Sequence, residues 1–167
     1  MSETKYKNYK FKVEEVINPK SLEAYHAVQV YNKKIDDETL LLSLNGGGSF
    51  SLYLQDRFFN FNIDDETKRI SSFEGNLTYS KIKIIKLKLP TIIKEAILNL
   101  NTEDFLNKGM GSYIEFNTSD VLYDKEQGIL QIGNINPNDI TYKFFKNAYT
   151  QIQDGNLTGL MFTDLEL

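Results

Sequence analysis

The chain has 167 residues, 41% of them apolar, with no Cys, no Trp and a single His. A domain of this length buries about 70% of its unfolded-chain surface, so it needs neither a disulfide nor a metal to fold. The missing thiols exclude Cys nucleophiles, Cys-based zinc sites and dithiol redox chemistry, and one imidazole is too few for a His-rich metal centre.

The residue types favour β-structure. The strand-forming residues Val, Ile, Thr, Tyr and Phe number 53, whereas Ala occurs four times. We find no apolar segment typical of a signal sequence and no uncharged apolar run of about 18 residues, so we expect a cytoplasmic protein. The net charge of −4 disfavours binding to nucleic acid, because it repels phosphate.

The first half of the chain is predicted to form a series of short strands. Apolar and polar residues alternate there with a period of two, and the connections are too short for parallel crossovers. We therefore expect an antiparallel meander of about seven strands, forming a curved or barrel-like sheet. The predicted strands cover residues 9–13, 24–31, 39–44, 50–54, 57–63, 69–73 and 77–89.

The last of these strands carries a row of lysines. The pair Ile84–Ile85 shifts its alternation by one residue, which predicts a β-bulge. A basic face that includes an aromatic ring can bind a nucleic-acid backbone, but lysines also keep an exposed strand soluble, and the net charge favours this second interpretation. The candidate basic face comprises Tyr79, Lys81, Lys83, Lys86 and Lys88.

After Pro90 the apolar residues change their spacing. Ile93, Ile97 and Leu100 recur at helical intervals, and a proline is tolerated in the first turn of a helix. The pattern therefore predicts an α-helix over residues 91–100.

A second helix is predicted over residues 139–153. Its apolar positions Ile140, Phe144, Ala148 and Ile152 lie four residues apart, and Asn138–Asp139 can cap its start. The complete prediction is a single α+β domain spanning residues 1–167, with these two helices and a predominantly antiparallel sheet. Further strands are expected at 112–117, near 121, at 129–132 and at 157–162.

An internal repeat is the most specific feature of the sequence. Residues 32–47 and 60–75 share eight identities over sixteen positions, including an identical Ile-Asp-Asp-Glu-Thr pentapeptide. Asp side chains bond their own backbone two residues on, so each copy is predicted to be a hairpin that turns at its acids. A cation site is the alternative, but the ligand ladder of a calcium loop is missing. The acids are Asp36, Asp37 and Glu38 in one copy and Asp64, Asp65 and Glu66 in the other.

Residues 124–128 resemble these turns more loosely. Gly128 can adopt the left-handed conformation that ends a bulged hairpin turn. Lys68 stands at the matching place in the second copy and Leu40 in the first, where a left-handed leucine is unfavourable. Either the first turn is of another type or the duplication is partial.

Two functions of different classes fit the sequence. The first is a non-catalytic domain whose acidic tips meet a basic protein surface, in the manner of toxin-neutralising immunity proteins, since charge complementarity selects partners. The second is a small-molecule-binding domain or weak hydrolase with an aromatic-lined pocket, because the chain has 21 Phe and Tyr residues. We expect no cofactor, no metal and no membrane partner.

Overall fold

In a computed structural model, two mixed β-sheets lie face to face. The structure describes residues 9–16, 30–44, 50–54, 59–107 and 109–167. Its strands are β1 (Phe11–Glu15), β2 (Tyr31–Lys34), β3 (Thr39–Leu44), β4 (Phe50–Leu54), β5 (Phe59–Ile63), β6 (Ile70–Thr78), β7 (Ile82–Ile84), β8 (Ile93–Leu100), β9 (Gly111–Ile114), β10 (Val121–Asp124), β11 (Ile129–Gly133), β12 (Thr141–Phe145), β13 (Ala148–Gln153) and β14 (Asn156–Phe162).

The strands divide between an eight-stranded and a six-stranded sheet. The strand orders are β1-β8-β12-β13-β14-β11-β10-β7 and β2-β3-β6-β5-β4-β9. Most neighbours are antiparallel, but β7 pairs with β10, β8 with β12 and β4 with β9 in parallel. The antiparallel meander expected from short connections is therefore wrong in part, because the parallel partners lie far apart in the sequence and need no direct crossover.

Aromatic rings join the two sheets. Phe61 of β5 contacts Phe11 of β1 and Phe144 of β12, with ring centroids 6.4 and 6.1 Å apart and nearly perpendicular planes. The ring centroids of Phe73 in β6 and Phe162 in β14 are 5.0 Å apart. These residues belong to one buried cluster that takes side chains from both sheets, and edge-to-face packing of this kind adds to the free energy of simple burial.

The predicted helix over 91–100 is wrong, because this segment is β8. Ala96, Ile97 and Leu98 are all buried, so both faces of the strand are covered and its apolar run shows no alternation. A short apolar run in a strand buried on both faces cannot be distinguished by periodicity from a helix. The spacing of Ile93, Ile97 and Leu100 was compatible with either structure.

The predicted helix over 139–153 is also wrong, because a hairpin of β12 and β13 occupies it. Residues four apart share a face of a strand as well as of a helix, and Ala148 and Ile152 of β13 both pack on the core. The two-residue turn Lys146–Asn147 separates β12 from β13. The described part of the chain contains no α-helix, and none of its helical segments is long and apolar enough to cross a membrane.

The predicted strand over 77–89 is likewise wrong as a single bulged strand. It divides into the end of β6, a 3-10 helix at Tyr79–Lys81, the short β7 and a segment without regular structure. The chain leaves the six-stranded sheet through the 3-10 helix and joins the other sheet at β7. The doubled isoleucine at 84–85 therefore marks the end of a strand, where sequence alternation indicated a bulge.

Residues 85–92, which we call the strap, connect β7 to β8 across the outer face of the eight-stranded sheet. Six strand spacings separate β7 from β8, or about 29 Å, and nine extended residue steps from Ile84 to Ile93 cover about 30 Å. The strap is therefore close to fully extended. Leu87 of the strap packs on Ile129, Ile135 and Met161, which form a second, smaller apolar cluster.

Candidate functional site

The two acidic tips have the turn chemistry that the repeat predicts. Asp36 Oδ1 accepts the backbone N–H groups of Glu38 and Thr39, both at 2.8 Å. Asp64 Oδ1 accepts those of Glu66 and Thr67, at 2.9 and 2.8 Å. These backbone bonds also hold the pKa of Asp36 below its usual value, since they favour the carboxylate.

The turns themselves differ in type. Lys68 adopts a left-handed φ of 62°, as Gly128 does with 67° in the β10–β11 turn. The Lys68 N–H donates to the Asp64 carbonyl, and the Gly128 N–H donates to the Asp124 carbonyl in the same way. Leu40 lies in β3 instead, where the first turn closes one residue earlier through Ile35 N–H and the Thr39 carbonyl. The gene duplication itself stays a prediction.

The structure places the two tips at opposite ends of β6. Thr39, which follows the first tip, pairs with Thr78 at the end of β6, whereas Ile63, before the second tip, pairs with Ile70 at its start. Eight residue steps along β6 separate these positions by about 26 Å. The six predicted partner-binding acids therefore form two separate sites.

The row of lysines is also divided. Tyr79 is half-buried against the core, and its N–H bonds to the Glu38 carbonyl of the first tip. Lys81 and Lys83 line a groove where the chain passes between the sheets. Lys86 and Lys88 lie beyond β7, beside Glu126 of the β10–β11 turn. The predicted single basic face is thus two pairs of lysines with different surroundings.

The groove beside Lys81 and Lys83 has a volume of about 540 Å³. Its walls come from β6, the 3-10 helix, β7 and the loop that precedes β10. Phe59, Asn76 and Val121 contribute to the lining. The remaining lining residues carry hydroxyl or ammonium groups, namely Thr78, Ser80, Lys81, Lys83, Thr118 and Ser119.

A buried aspartate holds the strap to the sheet. Asp124, only 2% exposed, accepts the Leu87 N–H at Oδ2 over 2.8 Å and the Gln127 side-chain amide at 2.7 Å. Its Oδ1 accepts the Gln127 N–H at 3.1 Å. The Leu87 bond, followed by the Gln127 side chain, keeps the pKa of Asp124 below its usual value. Gln127 also donates to the Leu87 carbonyl, so both backbone groups of Leu87 are held.

The outward side of this region is unusually apolar. Ile84 at the end of β7 is 67% exposed, and Ile85, Leu89, Ile92 and Ile93 are each 44–48% exposed. These five are half of the ten large apolar side chains exposed in the described ranges. Sequence reasoning missed them because it assigned 77–89 to one alternating strand, although the doubled isoleucine and Pro90 indicated where that alternation ends.

The titratable and polar side chains of the described ranges have structural roles. The single histidine, His26, lies outside the described residues. Within the described ranges, no cluster of three metal-ligating side chains occurs, and every buried side-chain nitrogen or oxygen has a hydrogen-bond partner. Burial also raises the pKa of Tyr149. Turn formation and packing account for the pKa changes of Asp36, Asp124 and Tyr149.

A scan of the chain against protein-family models finds no match, and a search of curated proteins finds no similar sequence.

Proposed function

We propose that this chain is a non-catalytic protein-binding domain that docks an acidic, partly aliphatic partner on the strap and its two ends. The observation that carries the proposal is the concentration of exposed aliphatic residues at 84–93. Exposed apolar side chains that recur along one segment are typical of an interaction site, whereas single exposed apolar residues are common everywhere.

Charge specifies the partner. Lys83, Lys86 and Lys88 alternate with the exposed isoleucines and leucine, and all three are exposed. An interface of this kind buries aliphatic side chains at its centre while opposite charges steer the encounter and fix the register. A partner segment that carries Asp or Glu between aliphatic residues complements this surface.

A protein fits this surface better than a lipid bilayer. Lysines and aliphatic residues together also attract anionic membranes. Here, however, Glu126 lines the same hollow as Lys86 and Lys88, and the chain as a whole is acidic. A carboxylate next to the lysines is repelled by anionic headgroups but is tolerated by a protein surface with mixed charges.

The test is selection of ligands from a library of random linear peptides displayed on phage, with the full chain as bait. We expect the selected peptides to combine acidic and aliphatic residues. Their affinity for the I84S/L89S variant should be at least about tenfold lower than for the parent chain, a difference of about 1.4 kcal/mol. The matched control is I35S, because Ile35 is 51% exposed at the first tip, away from the strap.

Three outcomes count against the proposal. One is a selected pool rich in basic residues, another is equal binding to I84S/L89S and the parent chain, and the third is tight binding of phosphatidylserine vesicles that I84S/L89S abolishes. The last result would assign the strap to a membrane surface.

A basic partner on the acidic tips is a second candidate, of which toxin neutralisation is the specific form. The exposed Asp37, Glu38 and Glu66 support it. The tips are about 26 Å apart, so they act as separate contacts. The charge-reversed variants D37K/E38K and E66K, one for each tip, are therefore tested separately. The protein encoded next to this gene is the first partner to assay. If one of these two variants no longer captures that protein, the result supports this candidate. If both variants capture it as the parent chain does, the candidate is ruled out.

A further inference from the structure

We propose that the groove beside Lys81 and Lys83 binds a small organic anion, a phosphate ester or a carboxylate with a compact apolar part. The groove volume of about 540 Å³ falls within the usual range for small-molecule sites, which is about 300–1,000 Å³. Lys83 belongs to both surfaces, but none of the exposed aliphatic residues of the strap and its ends lines the groove, so this inference does not depend on the function proposed above.

The lining determines the sign of the ligand's charge. Two lysines contribute to the groove, and none of its nine lining residues within the described ranges is acidic. No ion pair joins Lys81 or Lys83 to a carboxylate in the described part of the chain. In a chain with a net charge of −4, a concave site with only positive charges concentrates anions locally.

The uncharged groups suit the same ligand. Thr78, Ser80, Thr118 and Ser119 supply four hydroxyls, which can donate to phosphate or carboxylate oxygens, as lysine ammonium groups do. Phe59 and Val121 supply apolar surface for the rest of the molecule. Ligand sites commonly combine an apolar wall with a few polar groups that fix orientation.

Gly75 keeps the aromatic wall in place. It pairs with Phe59 across β5 and β6, and a Cβ atom at Gly75 would lie 2.6 Å from the Phe59 ring. A contact this short forces a shift of the ring, so the glycine is needed for Phe59 to occupy its position beside the groove. The repeat therefore has a glycine here for a structural reason.

The experiment follows amide chemical shifts of the full ¹⁵N-labelled chain during titration with phenyl phosphate, benzoate and, as a neutral probe, phenol. We expect shifts at Ser80, Thr118 and Ser119 with the anions and not with phenol. The response to phenyl phosphate relative to benzoate distinguishes a phosphate site from a carboxylate site. The K81Q/K83Q variant should bind at least tenfold more weakly, while K86Q/K88Q, with the same change of charge nearby, should bind as the parent does.

A second variant, T118V/S119A, retains both lysines and tests the hydroxyls, with an expected loss of several-fold. Equal weakening by K81Q/K83Q and K86Q/K88Q overturns the proposal, because it indicates a general charge effect. Absence of shifts in the millimolar range also overturns it, as does tighter binding of oligothymidylate that requires all four lysines. The strap proposal survives any of these results, since it is tested with Ile84 and Leu89.

Discussion

The two faces of the eight-stranded sheet are covered in different ways. The inner face packs against the whole six-stranded sheet through rings such as Phe61 and Phe144. On the outer face, the described residues form the small cluster of Ile129, Ile135 and Met161, with Leu87 of the strap and Tyr149 packed against it. An extensive core stabilises the inner contact, whereas a few side chains and the hydrogen bonds of Asp124 hold the outer one.

This difference separates stability from binding. Regions with few buried apolar contacts open at lower free energy than the core, and interaction surfaces are drawn from them. The strap fits this description, because a few backbone hydrogen bonds hold it, at Leu87 and near its two ends, while its isoleucines are exposed. We therefore expect damage to the inner face to unfold the chain and damage to the outer face to release the strap alone.

The largest expected effect is that of Phe61→Ala. Phe61 is fully buried and contacts rings of both sheets, so its removal should lower the free energy of unfolding by about 3–5 kcal/mol. Urea unfolding measures the loss. The control is Phe105→Ala, whose side chain is 82% exposed and should change stability by less than about 0.5 kcal/mol. Similar losses for both variants would contradict the inner core described here.

A smaller and more local effect is expected for Leu87→Ala. Leu87 is only partly buried, so the loss should be below about 2 kcal/mol, the lower end for a buried leucine. Hydrogen exchange should accelerate at the amides of Ile85 and Leu87 more than in β12 or β14. Leu89→Ala, at an exposed position of the strap, is the control. Uniform acceleration across both sheets would show that the strap is not an independent unit.

The sequence predicted strands and turns well where the pattern is local. The Asx bonds of Asp36 and Asp64 depend on residues two and three positions away, so they could be inferred from the repeat. The hydrogen bond between Asp124 and Leu87 could not be inferred in this way, because Leu87 lies 37 positions earlier in the chain. The helix error at β8 has a related cause, since tertiary packing buries Ala96, Ile97 and Leu98 on both faces of the strand and so removes the alternation.

The strap should also depend on the two carboxylate oxygens of Asp124. Asp124→Asn replaces one of two accepting oxygens with an amide, and both oxygens accept bonds, so a buried N–H loses its acceptor. We expect a lower urea midpoint at neutral pH and faster exchange of the Leu87 amide. This change should be smaller than that of Phe61→Ala, because the core stays intact.

The sign of the pH dependence follows from the lowered pKa of Asp124. A carboxyl group that titrates below its unfolded value of about 3.9 stabilises the native state above that pH and loses the contribution as pH falls through its folded pKa. The gap in urea midpoint between the parent chain and D124N should therefore be widest at neutral pH and narrow below about pH 4. A gap that widens in acid would contradict a stabilising role of the Asp124 carboxylate.

Asp36→Asn should have the smallest effect and is the matched variant for Asp124. Both aspartates cap a hairpin turn, but the two backbone N–H groups at Asp36 go to one oxygen, Oδ1. An asparagine retains that oxygen and forms the same turn. We expect a small decrease in the urea midpoint at neutral pH, because the charged form is favoured in the turn, and unchanged exchange in the strap. A loss as large as that of D124N would mean that the charge of a turn aspartate, rather than the number of its accepting oxygens, determines its contribution.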